Sequence, residues 1–389
     1  VKLFRRALSL LRPFGTLVKV LALLVVVDLG IRGPFFDLSI MPYNVLQYSI
    51  LRDRTIGRGF SILFEALDRI RRPEARVVIV GDSTVYATDQ LDDRFCIAAL
   101  LRDELRRRFR RADIDVVDAS QIALYAADAA LVINRALEHD VDVVVYAVTL
   151  RAVPSKVIGF KPTHITSEVS PTDLVRLAET GNARWLLRAV NGPELLNGLV
   201  YSTWKTYAYR AELKHYFWGR VVHPAITPWP ALVDALRPGP IYPEMGFVPH
   251  FPVKYMWERA DYQFPNPNSD ALETIGRVCG RYAPGRCFLY SGPVNPLGHG
   301  ELGEPGLYQE YLAMLRVIIG RHGLHWRDFT NAMSATDFRK ATYGELFDAI
   351  HMNTSGGRKL ATAIADAVQD QVAAAIRKHR PAKTSVLGR

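Results

Sequence analysis

Cysteine is scarce: the chain has three in 389 residues, Cys96, Cys279 and Cys287. They lack the paired short spacing of a zinc site and are too few for a disulfide framework. In an oxidising compartment Cys279 and Cys287 stand close enough in sequence to close a small loop, with Cys96 left as a buried thiol. Neither G-x-S-x-G nor H-E-x-x-H occurs, which argues against a nucleophile-elbow hydrolase and a zincin. Gly298-His299-Gly300-Glu301-Leu302-Gly303 fits G-x-G-x-x-G in form. Glu304 and Pro305 follow where a phosphate-binding helix should open, so the run reads as a loop. His322 and His325 are near neighbours without an evident third ligand. No cofactor and no metal are expected. Internal repeats and low-complexity tracts are absent as well. Acid is in deficit, with 49 Lys and Arg against 39 Asp and Glu, a formal net charge of +10. Such a balance suits nucleic acid, anionic lipid or an acidic polymer. The cations are spread along the chain, and their densest run, Arg106 to Arg111, reads as the solvated face of a helix. Nucleic acid is therefore set aside as a partner.

One long apolar run is present. Phe14 to Ile31 reads FGTLVKVLALLVVVDLGI, close to the ~20 residues that cross a hydrocarbon core. Its two charges, Lys19 and Asp28, lie near its ends, where side chains reach the headgroups. Lys2, Arg5, Arg6 and Arg12 precede it. By the positive-inside tendency the N-terminus is expected in the cytoplasm and the bulk of the chain outside, as a single-pass, extracytoplasmic protein of the cell membrane. A cleaved signal peptide is the rival, but no small-x-small site follows directly. The other rival is the buried first helix of a soluble domain, which the lack of a polar face around LALLVVV disfavours.

Beyond a linker rich in aromatics and turn residues, and a short amphipathic helix near Phe60 to Ile70, the pattern becomes α/β. Arg76 to Val80 is a nearly continuous apolar run, as expected of a strand buried on both faces. A helix over Phe95 to Phe109, a strand over Ile114 to Val117, a helix over Ala126 to Glu138 and a strand over Val141 to Val148 follow. Pro154 to Gly285, rich in Pro, Trp and Tyr, interrupts the alternation with two predicted helices, Pro171 to Val190 and Pro193 to Trp218. The Trp204, Tyr207, Tyr209 and Trp218 series there reads as packing. The pattern resumes with a strand at Cys287 to Tyr290, a helix at Tyr308 to Arg321, a short strand at His325 to Trp326, and a long helix from Gly356 to about His379. The expected fold is a doubly wound, mostly parallel three-layer α/β/α sheet assembled from both ends of the chain. Its expected parts are a membrane anchor (1–33), a linker with an amphipathic helix (34–75), a first half-domain (76–153), a helical insertion (154–285), a second half-domain (286–380) and a basic tail (381–389).

Two motifs carry chemistry. Gly81-Asp82-Ser83-Thr84 ends the first strand, at the edge where an open parallel sheet gathers its ligands. Gly81 is expected to give a sharp exit from the strand, with main-chain N–H groups at the turn facing an oxyanion. A Ser or Asp helix cap is the plain alternative. Asp348-Ala349-Ile350-His351 stands just before the last helix. A serine hydroxyl needs a neutral imidazole to take its proton, and the imidazole needs a carboxylate to fix its tautomer. An i, i+3 spacing on one turn would bring that carboxylate to Nδ1.

Taken together, a GDS closing the first strand and a D-x-x-H heading the last helix resemble the SGNH (GDSL-type) hydrolase superfamily, over about Arg76 to Val148 and Cys287 to Ala375. The resemblance implies Ser83 as nucleophile, His351 as general base and Asp348 as the orienting acid. The middle blocks depart from it. Asp118-Ala119-Ser120-Gln121 stands where a Gly is usual, so the oxyanion donors become the N–H groups of Ser83 and Ser120. Ala147-Val148-Thr149-Leu150 stands where G-x-N-D is usual, so the Thr149 hydroxyl replaces the missing Asn. With the N-terminal run, the insertion and Pro293-Val294-Asn295-Pro296, the chain is most similar to membrane-anchored SGNH proteins of cell-envelope O-acylation, such as those of teichoic-acid D-alanylation and alginate acetylation. The resemblance implies an esterase or O-acyltransferase working through an acyl-serine on an envelope polysaccharide or its lipid-linked precursor, beside a membrane-bound O-acyltransferase. A catalytically silent anchored scaffold that binds the glycan or that partner is the alternative.

Overall fold

The computed structural model describes residues 71–86, 96–110, 112–120, 124–154, 171–181, 222–236, 258–296, 304–340 and 347–380, with scattered positions within 15–29, 63–68 and 169–204. Five parallel strands form the centre: β1 (Ala75–Val80), β2 (Ile114–Asp118), β3 (Val143–Val148), β4 (Cys287–Ser291) and β5 (His325–Asp328), in the spatial order β2-β1-β3-β4-β5. All are parallel pairs. Every residue of β1, β3 and β4 is buried, because helices cover both faces, and that is why these strands read as unbroken apolar runs.

Helices α1 (Ser83–Tyr86), α2 (Ile97–Arg108), α3 (Ala126–Glu138), α4 (Pro171–Glu179), α5 (His223–Ile226), α6 (Pro230–Leu236), α7 (Pro267–Tyr282), α8 (Leu307–His322) and α9 (Thr354–His379) complete the order, with a hairpin of β6 (Phe338–Lys340) and β7 (Phe347–Met352) before α9. One face of the sheet packs against α3, α7 and α8 through Val80, Tyr146, Val148 and Leu289. The other packs against α2 and α9 through Val77, Ile79, Val145 and Phe288. The result is the three-layer α/β/α arrangement that the sequence suggests. The dense Arg run is partly used for that packing: Arg107 and Arg108 pair with Glu104, and Arg108 also reaches Asp366 of α9.

Three local differences have physical causes. The helix predicted from Pro171 stops at Glu179, because Gly181 adopts φ +76°, a left-handed stop that glycine takes without penalty. Within the stretch expected as insertion, α7 is a crossover helix of the core. Asn266 caps it by accepting from the Ser269 N–H (2.9 Å), and Ala271, Leu272, Ile275 and Val278 bury its inner face. The residues from Asp348 to His351 lie in strand β7 rather than on a helical turn. Pairing with β6 fixes their backbone, so the one-turn argument from i, i+3 spacing does not apply to them.

Between Phe14 and Ile31 the described positions are helical, and Val18, Leu23, Val25, Val26 and Leu29 are exposed. Among the described residues no helix is long and apolar enough to cross a membrane. Residues 34–62, the Gly298 to Gly303 run expected as a loop, most of Pro193 to Trp218 and the expected tail 381–389 lie outside the described residues.

Cys279 of α7 and Cys287 of β4 form a disulfide with Cα atoms 5.9 Å apart. Cys96 is a buried thiol outside the disulfide, and its sulfur accepts from the Ala99 N–H at the start of α2. Replacing Cys279 and Cys287 together by Ala is expected to cost about 2–3 kcal/mol, the loop-closure value for so short a loop. Urea unfolding of the non-reduced protein measures it, and an unchanged midpoint would contradict it.

Candidate active site

Ser83 owes its position to the packing of Gly81. A Cβ on Gly81 would lie 2.5 Å from Cγ2 of Val85 and 3.0 Å from Cβ of Ala147. The chain therefore turns from β1 into α1 in direct contact with β3, and close approach rather than a left-handed φ is what requires glycine. Gly81→Ala is expected to destabilise the protein by about 1–3 kcal/mol through overpacking. A denaturation midpoint equal to wild type would contradict this.

Asp82 then fixes the turn. Its side chain is buried, with Oδ1 accepting from the N–H (2.9 Å) and hydroxyl (2.7 Å) of Thr84, and Oδ2 accepting from the Thr149 hydroxyl (2.6 Å). A carboxylate taking three short bonds from two strand ends holds the loops after β1 and β3 at fixed separation. These strands flank the point where the strand order reverses, where open α/β sheets place their ligand crevice.

His351 arrives from the far end of the chain. Its Nε2 lies 3.0 Å from Ser83 Oγ, across 268 residues of sequence. Immediately after it, Asn353 accepts from the Gly356 N–H to cap α9 (3.1 Å). It also donates to the carbonyls of Thr336 (2.7 Å) and Phe338 (3.1 Å). A Cβ on Gly356 would lie 2.3 Å from the Asp337 carbonyl oxygen. The end of β7 is thus locked against the turn before β6, which holds the imidazole in place. The Ser83 hydroxyl and the His351 imidazole meet at hydrogen-bond distance, the geometry that a proton transfer between them would require.

The remaining expected residues are placed differently. The Asp348 backbone belongs to β7, and its side chain lies outside the described residues. The Ser120 N–H donates to Asp118 Oδ1 (2.9 Å), and the Ser120 hydroxyl donates to the same oxygen. The Thr149 hydroxyl is held by Asp82. Two of the three donors expected to face an oxyanion are therefore committed to carboxylates, which are stronger acceptors than a neutral ester carbonyl. The Ser83 N–H stands at the first position of α1.

Sequence reasoning offered Asp82 only as a helix cap, a role its bond from the Thr84 N–H at the start of α1 fits, and did not foresee its hold on Thr149. The signal was available as a repeat, Asp-x-Ser/Thr after three parallel strands: Asp82 with Thr84, Asp118 with Ser120, and Asp328 with Thr330. In the third case Asp328 Oδ1 accepts from the Thr330 N–H at 3.0 Å and hydroxyl at 2.5 Å. Each is an Asx turn in which the carboxylate takes the N–H two residues on.

Beside the Ser83–His351 pair a small cavity of about 10 Å³ is lined by Thr84, Thr149, Arg151, Val294, Tyr308 and Ile350. Burial raises the pKa of Tyr146, Tyr290 and Tyr311, and the Asp82 charge adds to the shift. Tyr308 is pushed up to about 12 by burial. These phenols stay protonated at neutral pH. Among the described residues no group of three or more His, Cys, Asp or Glu side chains is placed to hold a metal ion. His322 bonds to Glu273 at 2.7 Å, and His325 is exposed.

No family model matches the chain, and no curated protein matches it. Several solved structures are similar to it. LAE5, an alpha/beta hydrolase enzyme from the metagenome of Lake Arreo, Spain, is 12% identical. The match covers 77% of this chain and 97% of that one, with a TM-score of 0.37. TesA is 12% identical, covering 76% and 99%, with a TM-score of 0.36. Axe2, an acetylxylan esterase from Geobacillus stearothermophilus, is 11% identical, covering 81% and 96%, with a TM-score of 0.33. The functional reading rests on the geometry of this chain's own residues.

Proposed function

We propose that the chain is an SGNH-like serine esterase or O-acyltransferase, and the observation that carries this reading is the 3.0 Å contact between Ser83 Oγ and His351 Nε2 at the carboxyl edge of the sheet. His351 takes the hydroxyl proton as Ser83 attacks the acyl carbonyl. The tetrahedral adduct collapses, the alcohol leaves with the proton from His351, and the acyl group stays on Ser83 as an ester. Water, or the hydroxyl of an acceptor, then gives its proton to His351 and attacks the acyl-serine; the second adduct collapses, the acid or new ester leaves, and Ser83 takes the proton back from His351. The Ser83 N–H is assigned to the oxyanion. Asp348 is assigned to orient His351.

The structural role of Thr149 follows from its bond to Asp82. If it holds the turn and gives nothing to the oxyanion, turnover lacks one donor worth ~3 kcal/mol of transition-state stabilisation. That observation also favours a second reading, a catalytically silent scaffold that binds an acylated glycan at the same edge. The substrate class assigned here is an O-acyl group on a cell-envelope polysaccharide or its lipid-linked precursor. The basic chain and the apolar run at Phe14 to Ile31 support it, since they suit an anchored domain working beside a membrane-bound O-acyltransferase on the outer side of the membrane. The test is turnover of an activated acyl ester by wild type and by Ser83→Ala. Turnover lost on substitution supports the enzyme, whereas wild-type rates equal to those of Ser83→Ala would leave the scaffold.

A further inference from the structure

The segment from Val222 to Leu236 buries none of its side chains, although it is folded as two helices, α5 and α6. The Trp229 N–H bonds to the Ile226 carbonyl (2.9 Å), and the Trp229 carbonyl accepts from Leu232 (2.9 Å) and Val233 (3.0 Å), so the chain passes from one helix to the next through this tryptophan. With successive residues about 100° apart, Trp229, Leu232, Val233 and Leu236 fall within one arc of roughly 100°. Asp234 falls on the opposite side. Trp229 is 60% exposed, Leu232 40% and Leu236 51%. An exposed apolar stripe on a folded element marks a contact surface.

The sequence around it indicates which surface. Between Trp218 and Arg237 the single acid is Asp234, while Arg220 and Arg237 supply positive charge and Trp218 and Trp229 are aromatic. Tryptophan beside basic residues is the composition of a membrane–water interface. Length excludes a span: residues 223–236 would reach only about 21 Å even as one unbroken helix, short of the ~30 Å hydrocarbon core. Pro224 and Pro230 interrupt it besides. A second helical stretch presents exposed apolar side chains, Leu23, Val25, Val26 and Leu29 among them, and it too follows a basic flank.

We propose that α5 and α6 lie in the plane of an anionic lipid bilayer, with Trp229, Leu232 and Leu236 at the headgroup–acyl boundary. The contact stands independently of the chemistry at Ser83. It is separate from the apolar run at Phe14 to Ile31, so vesicle flotation of the full chain does not report it and the environment of Trp229 does. The full chain is bound to vesicles of phosphatidylcholine and phosphatidylglycerol with brominated acyl chains, and the Trp229 component is isolated as the difference between wild type and Trp229→Phe. That component is expected to be blue-shifted, quenched by the bromines and shielded from aqueous acrylamide. Leu232→Asn with Leu236→Asn is expected to reduce the bromine quenching by about twofold or more, as the buried apolar area falls. Pure phosphatidylcholine is expected to quench less. A Trp229 component open to acrylamide and untouched by bromolipid would overturn the proposal. So would one shielded from both quenchers as protein concentration rises, which would assign the stripe to a second copy of the chain, and so would equal quenching in neutral vesicles.

Discussion

His351→Ala is expected to lower turnover of an activated acyl ester by about 10⁴-fold or more, and Ser83→Ala by a similar factor. The double variant is expected to lose no more than either single one. The two side chains form one hydrogen-bonded unit, and removing either member disables the same proton transfer, so the losses do not add. Steady-state kinetics on the three variants, with circular dichroism to confirm that each is folded, measures this. Losses that multiply in the double variant would mean that the two residues act separately. Asp348→Asn is expected to lose as much or less than His351→Ala, since an amide leaves the ring in the wrong tautomer. Thr149→Val is expected to act mainly on stability, because it strips a short bond from the buried Asp82 carboxylate, and bonds to charged groups contribute about 1.5–3 kcal/mol.

Asp173→Ala is expected to destabilise the protein by about 3–5 kcal/mol, the loss typical of breaking a buried ion pair from one side. Asp173 on α4 is fully buried, and it accepts from Asn134 Nδ2 (2.9 Å) and from Nε (3.1 Å) and Nη2 (2.8 Å) of Arg135 on α3. Removing the carboxylate leaves the Arg135 guanidinium, itself largely buried, without this anion. Asp173→Asn keeps the shape and one acceptor oxygen and is expected to lose less. Urea midpoints for the two variants decide it, and a loss below about 1 kcal/mol for Ala would show that α4 docks by apolar contact alone.

The central sheet and the helices α2, α3, α8 and α9 were legible because burial on both faces leaves unbroken runs such as RVVIV and VDVVVYAV, separated by amphipathic helices. Helix α7 was not, since its signal, Asn266 and Pro267 opening a cap, sits in a Pro-rich stretch that reads as irregular. The hairpin of β6 and β7 was hidden for another reason. Its three-residue partner Phe338–Lys340 carries no period of its own, and only pairing makes Phe347–Met352 a strand. At the site, the meeting of Ser83 and His351 followed from the two motifs, each at the edge of its element. The fate of Ser120 and Thr149 did not follow, because whether a donor faces a crevice or a neighbouring carboxylate depends on where Asp118 and Asp82 point. A spacing of residues does not specify that direction.

The central claim is that Ser83 is a base-activated nucleophile. A fluorophosphonate probe reacts with a hydroxyl only where an adjacent base has activated it, so digestion of the labelled wild-type protein and mapping of the modified peptide tests the claim directly. The adduct is expected on Ser83, and it is expected to be lost in His351→Ala although the serine itself is intact. An unlabelled wild-type protein, or equal labelling of Ser83 with and without His351, would contradict it.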